Sequence, residues 1–491
     1  MNRQRAWAVR GQIGRIMLIV IAFALLAAAP AFADGLDFTA GDLVVSVEGN
    51  GVEGGTGTYT DNQAAPLSLF EFDPTGTSSV SYVSSLVLPQ TASGVNLPVS
   101  GEYGSSSEGT LQLSEDGQYL TIMGYGVNAA SFNAAPGSYS TVSTNTALGQ
   151  SGSMTGQSAY TPVARVVALI DADGNVNSST AIYNVFNANN PRSAFAVSGT
   201  PGSAVYISGQ GTKGDNTGGV FYTTVGSTSA TSITGADGGS GSSQDTREVQ
   251  IVNGQLYVSS DSKTGATNRD YIGTLGASGS LPTTVANSGN GPTMLTGYGN
   301  TGGTGKETIT ALTANGENAI GQQINLSPEN YFFASSTVLY VADSGSPKNN
   351  SATSALGDGG LQKWVDVSGT WTLEYTISAG LNLVANTAAS GTTGLYGLTG
   401  EVMPDGTVEL FATNYTIEDL DPTYLYGVTD VLSATTPGGT EAFTQLASAP
   451  ADSNFKGVSF APVAAAEPGS LALLGIGLIA LLLLRRRQVI L

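Results

Sequence analysis

Asp171-Ala172-Asp173-Gly174-Asn175-Val176-Asn177 puts oxygen-bearing side chains at alternate positions. That spacing lets a loop converge carboxylates and amides on one hard cation. Ile182 stands at the twelfth position, where a calcium loop needs its closing acid. The same residues also read as a hairpin turn between the apolar runs 166–170 and 176–182. No cofactor is expected, with Ca2+ at this loop as the single candidate. Glu418-Asp419-Leu420-Asp421 concentrates three carboxylates beside Tyr415 and Tyr424. Paired carboxylates can cleave a glycan by acid–base chemistry, with the tyrosines as a sugar platform. An acidic loop on an acidic surface is the plainer reading. Trp364, Trp371 and the 20 tyrosines could form a carbohydrate-binding surface, but at alternating strand positions they read as core between packed sheets. Asp358, in Gly357-Asp358-Gly359-Gly360, reads as a turn rather than a metal ligand.

The residue types that are missing narrow the chemistry further. The chain has no His and no Cys. This excludes Ser-His-Asp and Cys-His catalysis, His-ligated zinc and the usual His general base. No phosphate-cradling loop and no nucleophile elbow is present. No catalytic, cofactor-binding or metal-ligating residue is therefore assigned, and the chain is expected not to be an enzyme.

The elements that would position any site are strands. Leu43-Val44-Val45-Ser46-Val47, Leu67-Ser68-Leu69-Phe70-Glu71-Phe72 and the run 80–88 are apolar-alternating or β-branched. A hairpin phrase then recurs, each copy a strand, a tight turn and a strand. It occurs at 109–122 around Asp116-Gly117, at 249–258 around Asn253-Gly254, at 331–341, and at 400–411 around Asp405-Gly406. Asn-Gly and Asp-Gly supply the positive φ angles such turns need. Ala204-Val205-Tyr206-Ile207 reads as a further second strand. Outer hairpins follow, such as 361–365 with 371–375 across Ser368-Gly369. Two hairpins per unit, at a period of roughly 45–70 residues, predict an all-β propeller of about seven four-stranded blades, within a range of six to eight. Phe455-Lys456-Gly457-Val458-Ser459-Phe460 reads as a late strand closing the ring on the first blade. A β-sandwich array or a β-helix is the alternative, and the unequal spacing argues against the β-helix. The Gly/Ser/Thr-rich stretches 137–160, 228–243 and 288–304 are expected to connect blades.

Both ends carry sorting chemistry. Arg3, Arg5, Arg10 and Arg15 precede an apolar run from Ile16 to Ala29. Ala31-Phe32-Ala33 then offers a small-x-small cleavage site before Asp34, the pattern of a secretory signal peptide. At the far end Ala466-Glu467-Pro468-Gly469-Ser470 leads into the apolar run Leu471–Leu484 and the stop Arg485-Arg486-Arg487. The run is short against the roughly 20 residues of a bilayer span, and the arginines hold its end on the cytoplasmic side. A permanent membrane anchor is the other reading of this tail. Expected domains are residues 1–33 as signal peptide, 34–463 as propeller body and 464–491 as the tail with a hydrophobic helix. The body keeps ten basic residues against 36 acidic ones, a formal charge of −26. Such a surface repels nucleic acid and favours solubility.

The tail resembles the PEP-CTERM signal of Gram-negative bacteria that export polysaccharide, with Ala466 in the position of that family's first Pro. This resemblance implies insertion in the inner membrane, cleavage by an exosortase after signal peptidase has acted, and a final place at the cell surface or in the extracellular matrix. The body resembles secreted PEP-CTERM proteins of propeller type. The residues carrying that likeness are Gly41-Asp42-Leu43-Val44-Val45, Asn253-Gly254-Gln255-Leu256-Tyr257-Val258, Leu339-Tyr340-Val341-Ala342-Asp343 and Phe455-Lys456-Gly457-Val458-Ser459-Phe460. The expected function is non-catalytic binding of exopolysaccharide or another envelope component. The alternatives are a secreted propeller hydrolase or lyase acting on a glycan or phosphoester with carboxylates, with or without Ca2+, and a membrane-anchored periplasmic propeller scaffold.

Overall fold

The computed structural model describes residues 37–50, 59–212, 214–235, 245–261, 263–264, 267–268, 271–287, 291–298, 306–308, 323–345, 359–385 and 387–464. The cleavage site at Ala31, Ala33 and Asp34 lies outside these residues. So do Asp358, the motif Ala466–Ser470 and the arginines 485–487. No helix among the described residues is long and apolar enough to cross a membrane. A six-residue helix, Ala129–Ala134, is the one α-helix described.

Six sheets are arranged as the blades of a propeller, and two further two-stranded ribbons pair Lys263–Thr264 with Thr267–Asn268 and Lys306–Thr308 with Gln323–Asn325. Blade I is built from Ser453–Phe460, Leu43–Gly49, Ser68–Thr75 and Ser79–Val87, in order from the axis outward. Blade II runs Leu111–Leu113, Tyr119–Tyr125, Arg165–Asp171 and Val176–Ile182, with the short strands Ala64–Pro66 and Ser100–Glu102 added at its inner edge. Blade III is Pro191–Ala196, Ala204–Gly209, Gly219–Thr224 and Thr231–Ser232. Blade IV is Thr246–Val252, Gln255–Ser260, Tyr271–Leu275 and Thr293–Met294. Blade V is Pro328–Phe333, Val338–Asp343, Gly360–Asp366 and Trp371–Ile377. Blade VI is Thr392–Val402, Thr407–Thr416, Tyr424–Val431 and Thr444–Ser448.

The closing strand does what its sequence suggests. Ser453–Phe460 pairs antiparallel with Leu43–Gly49 and becomes the innermost strand of blade I, so the ring is shut by its two ends. Six apolar clusters, one at each junction between neighbouring blades, complete the circle. Trp364 and Trp371 belong to the cluster between blades IV and V, buried as core rather than displayed to a sugar.

The count of about seven is corrected to six. The inner strands begin at 111, 191, 246, 328, 392 and 453, and the steps from 111 to 191 and from 246 to 328 exceed the expected 70-residue limit. The Gly/Ser/Thr-rich stretches explain the miscount. Residues 137–160 do not join two blades: they lie inside blade II, between its second and third strands, where a segment holding the short helix packs Phe132, Leu148 and Val163 against Tyr125. Residues 228–243 and 288–304 contain the two-residue outer strands of blades III and IV. Strands that short have too few residues for alternation to show.

A hydroxyl staple repeats around the ring. On the second strand of most blades a Ser or Thr donates to a carbonyl on the inner strand of the next blade. Ser46 bonds Gly109 of the segment leading into blade II, and Thr121 bonds Ala194. Ser208 bonds Arg247, Ser259 bonds Glu329, and Thr413 bonds Lys456. The phrases Val205-Tyr206-Ile207-Ser208, Leu256-Tyr257-Val258-Ser259 and Leu410-Phe411-Ala412-Thr413 carry it in sequence. Blade V has Ala342 in the corresponding phrase Leu339-Tyr340-Val341-Ala342. Each bond gives a carbonyl at a blade junction a hydroxyl donor from the neighbouring blade.

Candidate functional site

The inner strands of blades I, III, IV and V each break register once near the same end and that of blade VI twice, and the breaks share a consequence. Pairing skips Arg192 in blade III, Arg247-Glu248 in blade IV and Glu329 in blade V. It skips Tyr396-Gly397 in blade VI and Lys456-Gly457 in blade I. A bulge adds an unpaired residue and re-aims its side chain. Here the bulged positions hold charged residues or tyrosine, and all lie toward the N-terminal ends of the inner strands. Together they form a mouth at one end of the propeller axis.

Two ionic networks occupy this mouth. In the first, Arg192 pairs with Asp245 in a short contact. Arg247 Nη2 lies 3.0 Å from Asp261 and Nη1 lies 3.2 Å from Glu329. Burial, with Arg247 beside it, pulls the Arg192 guanidinium down to about 9, which still leaves it charged at neutral pH. Burial also pushes the Glu329 carboxyl up to about 7, against the pull of Arg247. For Arg247 burial acts downward, but Glu329 and Asp261 hold the group above its usual value.

The second network joins blades I and II. Lys456 Nζ lies 3.7 Å from Glu48 and donates a short bond to the Ser105 carbonyl. Glu108 accepts short bonds from the Tyr125 hydroxyl and from Asn190. Glu102 accepts one from the Gly149 N–H. Arg165 is fully buried, gives its protons to the carbonyls of Ser151, Val163, Phe186 and Asn189, and lies 4.6 Å from the centre of the Tyr125 ring. Burial raises Glu48, Glu102 and Glu108 above ordinary carboxylate values. Lys456 opposes the shift at Glu48, while the neighbouring Glu108 adds to it at Glu102. Perturbed acids gathered at one end of a channel are the usual physical mark of a functional site, though structural ion pairs leave the same trace.

The two loops singled out in the sequence end up on opposite faces. Asp171–Asn175 follows the third strand of blade II and lies at the end of the propeller away from the mouth. Its Asp171 carboxylate is used by its own turn, accepting from the N–H groups of Asp173 and Asn175 and from the Asn175 amide. No group of three or more acidic side chains able to hold a metal exists among the described residues. Glu418–Asp421 follows the second strand of blade VI and does reach the mouth. Asp421 is spent on the loop, accepting from the N–H groups of Gly391 and Glu418. Asp419 lines a small pocket with Ser106, Tyr396, Asn414, Tyr415 and Lys456. Tyr415 is buried there, so it offers no open platform.

Sequence reasoning missed Glu48, Glu102, Glu108, Arg192, Arg247, Glu248, Glu329 and Lys456. A signal existed. Three of the body's ten basic residues stand two to four positions into an inner strand, next to Pro191, Thr246 and Phe455. In a chain with only 11% charged residues, that placement is not what solubility requires.

No protein-family model matches the chain, and no curated protein matches it. Among solved structures, a hypothetical selenium-binding protein from Sulfolobus tokodaii aligns over 87% of this chain and 96% of its own, at 8% identity and a TM-score of 0.38. An oligogalacturonate lyase in complex with manganese aligns over 82% of this chain and 96% of its own, at 9% identity and a TM-score of 0.33. The computationally designed Ika8 protein aligns over 75% and 89%, at 10% identity and a TM-score of 0.26. At these scores no substrate or activity transfers, and the chain is described by its own geometry: an all-β, six-bladed propeller with a charged mouth.

Proposed function

We propose that this chain is an exported, non-catalytic propeller that binds exopolysaccharide across its acidic mouth. One observation supports the reading above others. Each bulge cation at the mouth already has an acidic partner, Arg192 with Asp245, Arg247 with Asp261 and Glu329, and Lys456 with Glu48. What the mouth presents to a ligand is therefore carboxylate and hydroxyl, as at Asp419, Thr416 and Ser106, while the Asn414 amide is used by Thr392, Pro422 and Tyr424. That set accepts hydrogen bonds from sugar hydroxyls and from ammonium groups, and it repels anionic polymers. The pocket it lines measures about 10 Å³, room for no more than about one water. Such a surface fits the edge of a polymer better than it encloses a substrate for cleavage, and the binding calls for no cofactor.

The expected result is binding of the exported chain to neutral or amino-bearing polysaccharide and none to uronate-rich polysaccharide, read by calorimetry. Asp419→Asn should weaken that binding about fivefold or more, since a hydrogen bond to a charged group contributes about 1.5–3 kcal/mol. Shortened sugar products in the same mixture would establish the competing hydrolase or lyase reading instead.

Export and sorting belong to the same proposal and rest on the two termini. Signal peptidase would cut after Ala33 and an exosortase near Glu467. Intact mass of the protein from medium, matrix and membrane fractions should show a chain beginning at Asp34 and ending near Ala466. A full-length tail confined to the membrane fraction would replace this with the anchored periplasmic scaffold.

A further inference from the structure

Lys363 and Asp430 stand on the third strands of blades V and VI, both fully buried, with Nζ 2.9 Å from Oδ2. Tyr340 and Tyr375 wall them in. The Lys363 ammonium lies 5.5 and 5.2 Å from the two ring centres, and the two hydroxyls donate to Asp430, one to each oxygen. Taking two such charges out of water costs about what their attraction returns, and apolar residues of the same volume would hold the junction as well. The pair therefore calls for a reason beyond stability.

A third group supplies one. Glu441 lies between the third and fourth strands of blade VI, in a turn where its N–H donates to the Gly438 carbonyl. Two residues on, Phe443 is buried between blades V and VI and donates its N–H to the Ala379 carbonyl, which fixes the turn against blade V. Glu441 Oε2 is buried, and the carboxyl meets that of Asp430 closely enough to share a proton with it. Burial, with Asp430 beside it, raises Glu441 above the ordinary carboxylate value, against the pull of the Gly438 N–H and of Lys363. An amine, a carboxyl and a proton carrier thus meet inside one blade junction.

We propose that Lys363 and Asp430 condense into an amide that ties blade V to blade VI, with Glu441 carrying the proton. A proton first passes from the Lys363 ammonium to the Asp430 carboxylate, leaving a neutral amine beside a neutral acid, the forms that burial favours. The amine lone pair attacks Cγ of Asp430, and the electrons of the C=O bond move onto its oxygen, where a tyrosine hydroxyl stabilises the charge. Glu441 gives its proton to the departing hydroxyl and takes one from the nitrogen, ending as it began. The C–N bond forms, the C–O bond breaks and one water leaves, with no oxidant, reductant or second molecule involved. Fixed contact replaces a bimolecular encounter, and two costly buried ions become one neutral group. The chain has no Cys, so no disulfide braces the ring, whereas an amide forms without any redox partner. Condensation follows folding, since packing blade V against blade VI is what brings residues 363 and 430 together. The freshly folded chain holds them as ions.

Mass spectrometry of the full chain, incubated after folding and denatured only before digestion, tests the assignment independently of what the mouth binds. Wild type is expected to weigh one water less than its termini require, about 18 Da. Trypsin should no longer cut after Lys363, so that residues 349–456 emerge as one fragment closed on itself. Lys363→Arg and Glu441→Gln should each keep the full mass and be cut between the two linked positions, Glu441→Gln after Lys363 itself. Circular dichroism should show Glu441→Gln folded. A wild-type chain of full mass that trypsin cuts after Lys363 would overturn the amide whether or not the variants fold. Loss of water with Lys363 still cut would place the dehydration elsewhere and overturn it too. Loss of water by Glu441→Gln at the wild-type rate would remove Glu441 from the reaction.

Discussion

Truncation before Ser453 is expected to abolish cooperative folding, whereas truncation after Ala464 should leave the melt of the full chain unchanged. The two products differ by the inner strand of blade I. That strand buries Phe455 and Val458 in the cluster between blades VI and I. Removing two such side chains costs about 1.5–3 kcal/mol each in transfer free energy alone. It also withdraws the carbonyl that accepts from Thr413 and the Gly457 N–H that donates to Ser46, both buried. Lys456 leaves with them, and Glu48 is then a buried carboxyl without its cation. Finally, the edge of Leu43–Gly49 is opened at the centre of the molecule, where no water can satisfy it evenly. These losses exceed about 5 kcal/mol, comparable to the whole stability of an ordinary domain. Circular dichroism melts and size-exclusion profiles would read the result. A sharp, reversible melt of the shorter product within a few degrees of the longer one would show that the ring does not depend on its closing strand.

That strand also shows what the sequence made legible. Phe455-Lys456-Gly457-Val458-Ser459-Phe460 stands apart at the end of the body, with no partner of its own, and the unpaired edge of a first blade is the natural place for it. Hairpins were equally plain where the turn chemistry is strong. Asn253 and Gly254 have φ of 51° and 75°, the left-handed values that their residue types suggest, and Ser368 and Gly369 have 57° and 86°. The blade count was less legible because it depends on outer strands of two residues, Thr231–Ser232 and Thr293–Met294, which leave no period to detect. The mouth was hidden for a different reason. A bulge breaks the alternation by which a strand is recognised, so Arg247-Glu248 looks like noise in an otherwise apolar run. The partners are also remote in sequence: Glu108 meets Asn190, and Arg247 meets Glu329. Only closing the ring brings them together. The acidic loop at Glu418–Asp421 was found by composition, yet geometry divides it, with Asp419 in the mouth and Asp421 spent on the turn.

Single replacement of either Lys363 or Asp430 is expected to cost about 3–5 kcal/mol, and replacement of both by apolar residues much less. These two side chains form a fully buried ion pair between blades V and VI, with Nζ 2.9 Å from Oδ2. The pair is closed on all sides. Asp430 accepts from the Tyr340 hydroxyl at 2.5 Å and the Tyr375 hydroxyl at 2.7 Å. Lys363 donates to the Val431 carbonyl at 2.6 Å and to the Tyr375 hydroxyl at 3.0 Å, and it lies within 5.5 Å of the centres of both rings. Burial, then Asp430, holds both phenols far above their ordinary value, so they remain donors at any pH the protein meets. With Asp430→Ala the ammonium loses its counter-charge and two hydroxyls lose their acceptor, in a place water does not reach. With Lys363→Met the Asp430 carboxylate is left with the two hydroxyl donors and the neighbouring carboxyl of Glu441. In the double variant Lys363→Met with Asp430→Leu, no charge is stranded and only the hydroxyls must adjust. Urea unfolding of the four proteins yields the coupling directly. Strictly additive losses would mean that the two charges are solvated separately, and the tyrosine frame between blades V and VI would then be packing rather than an electrostatic clamp.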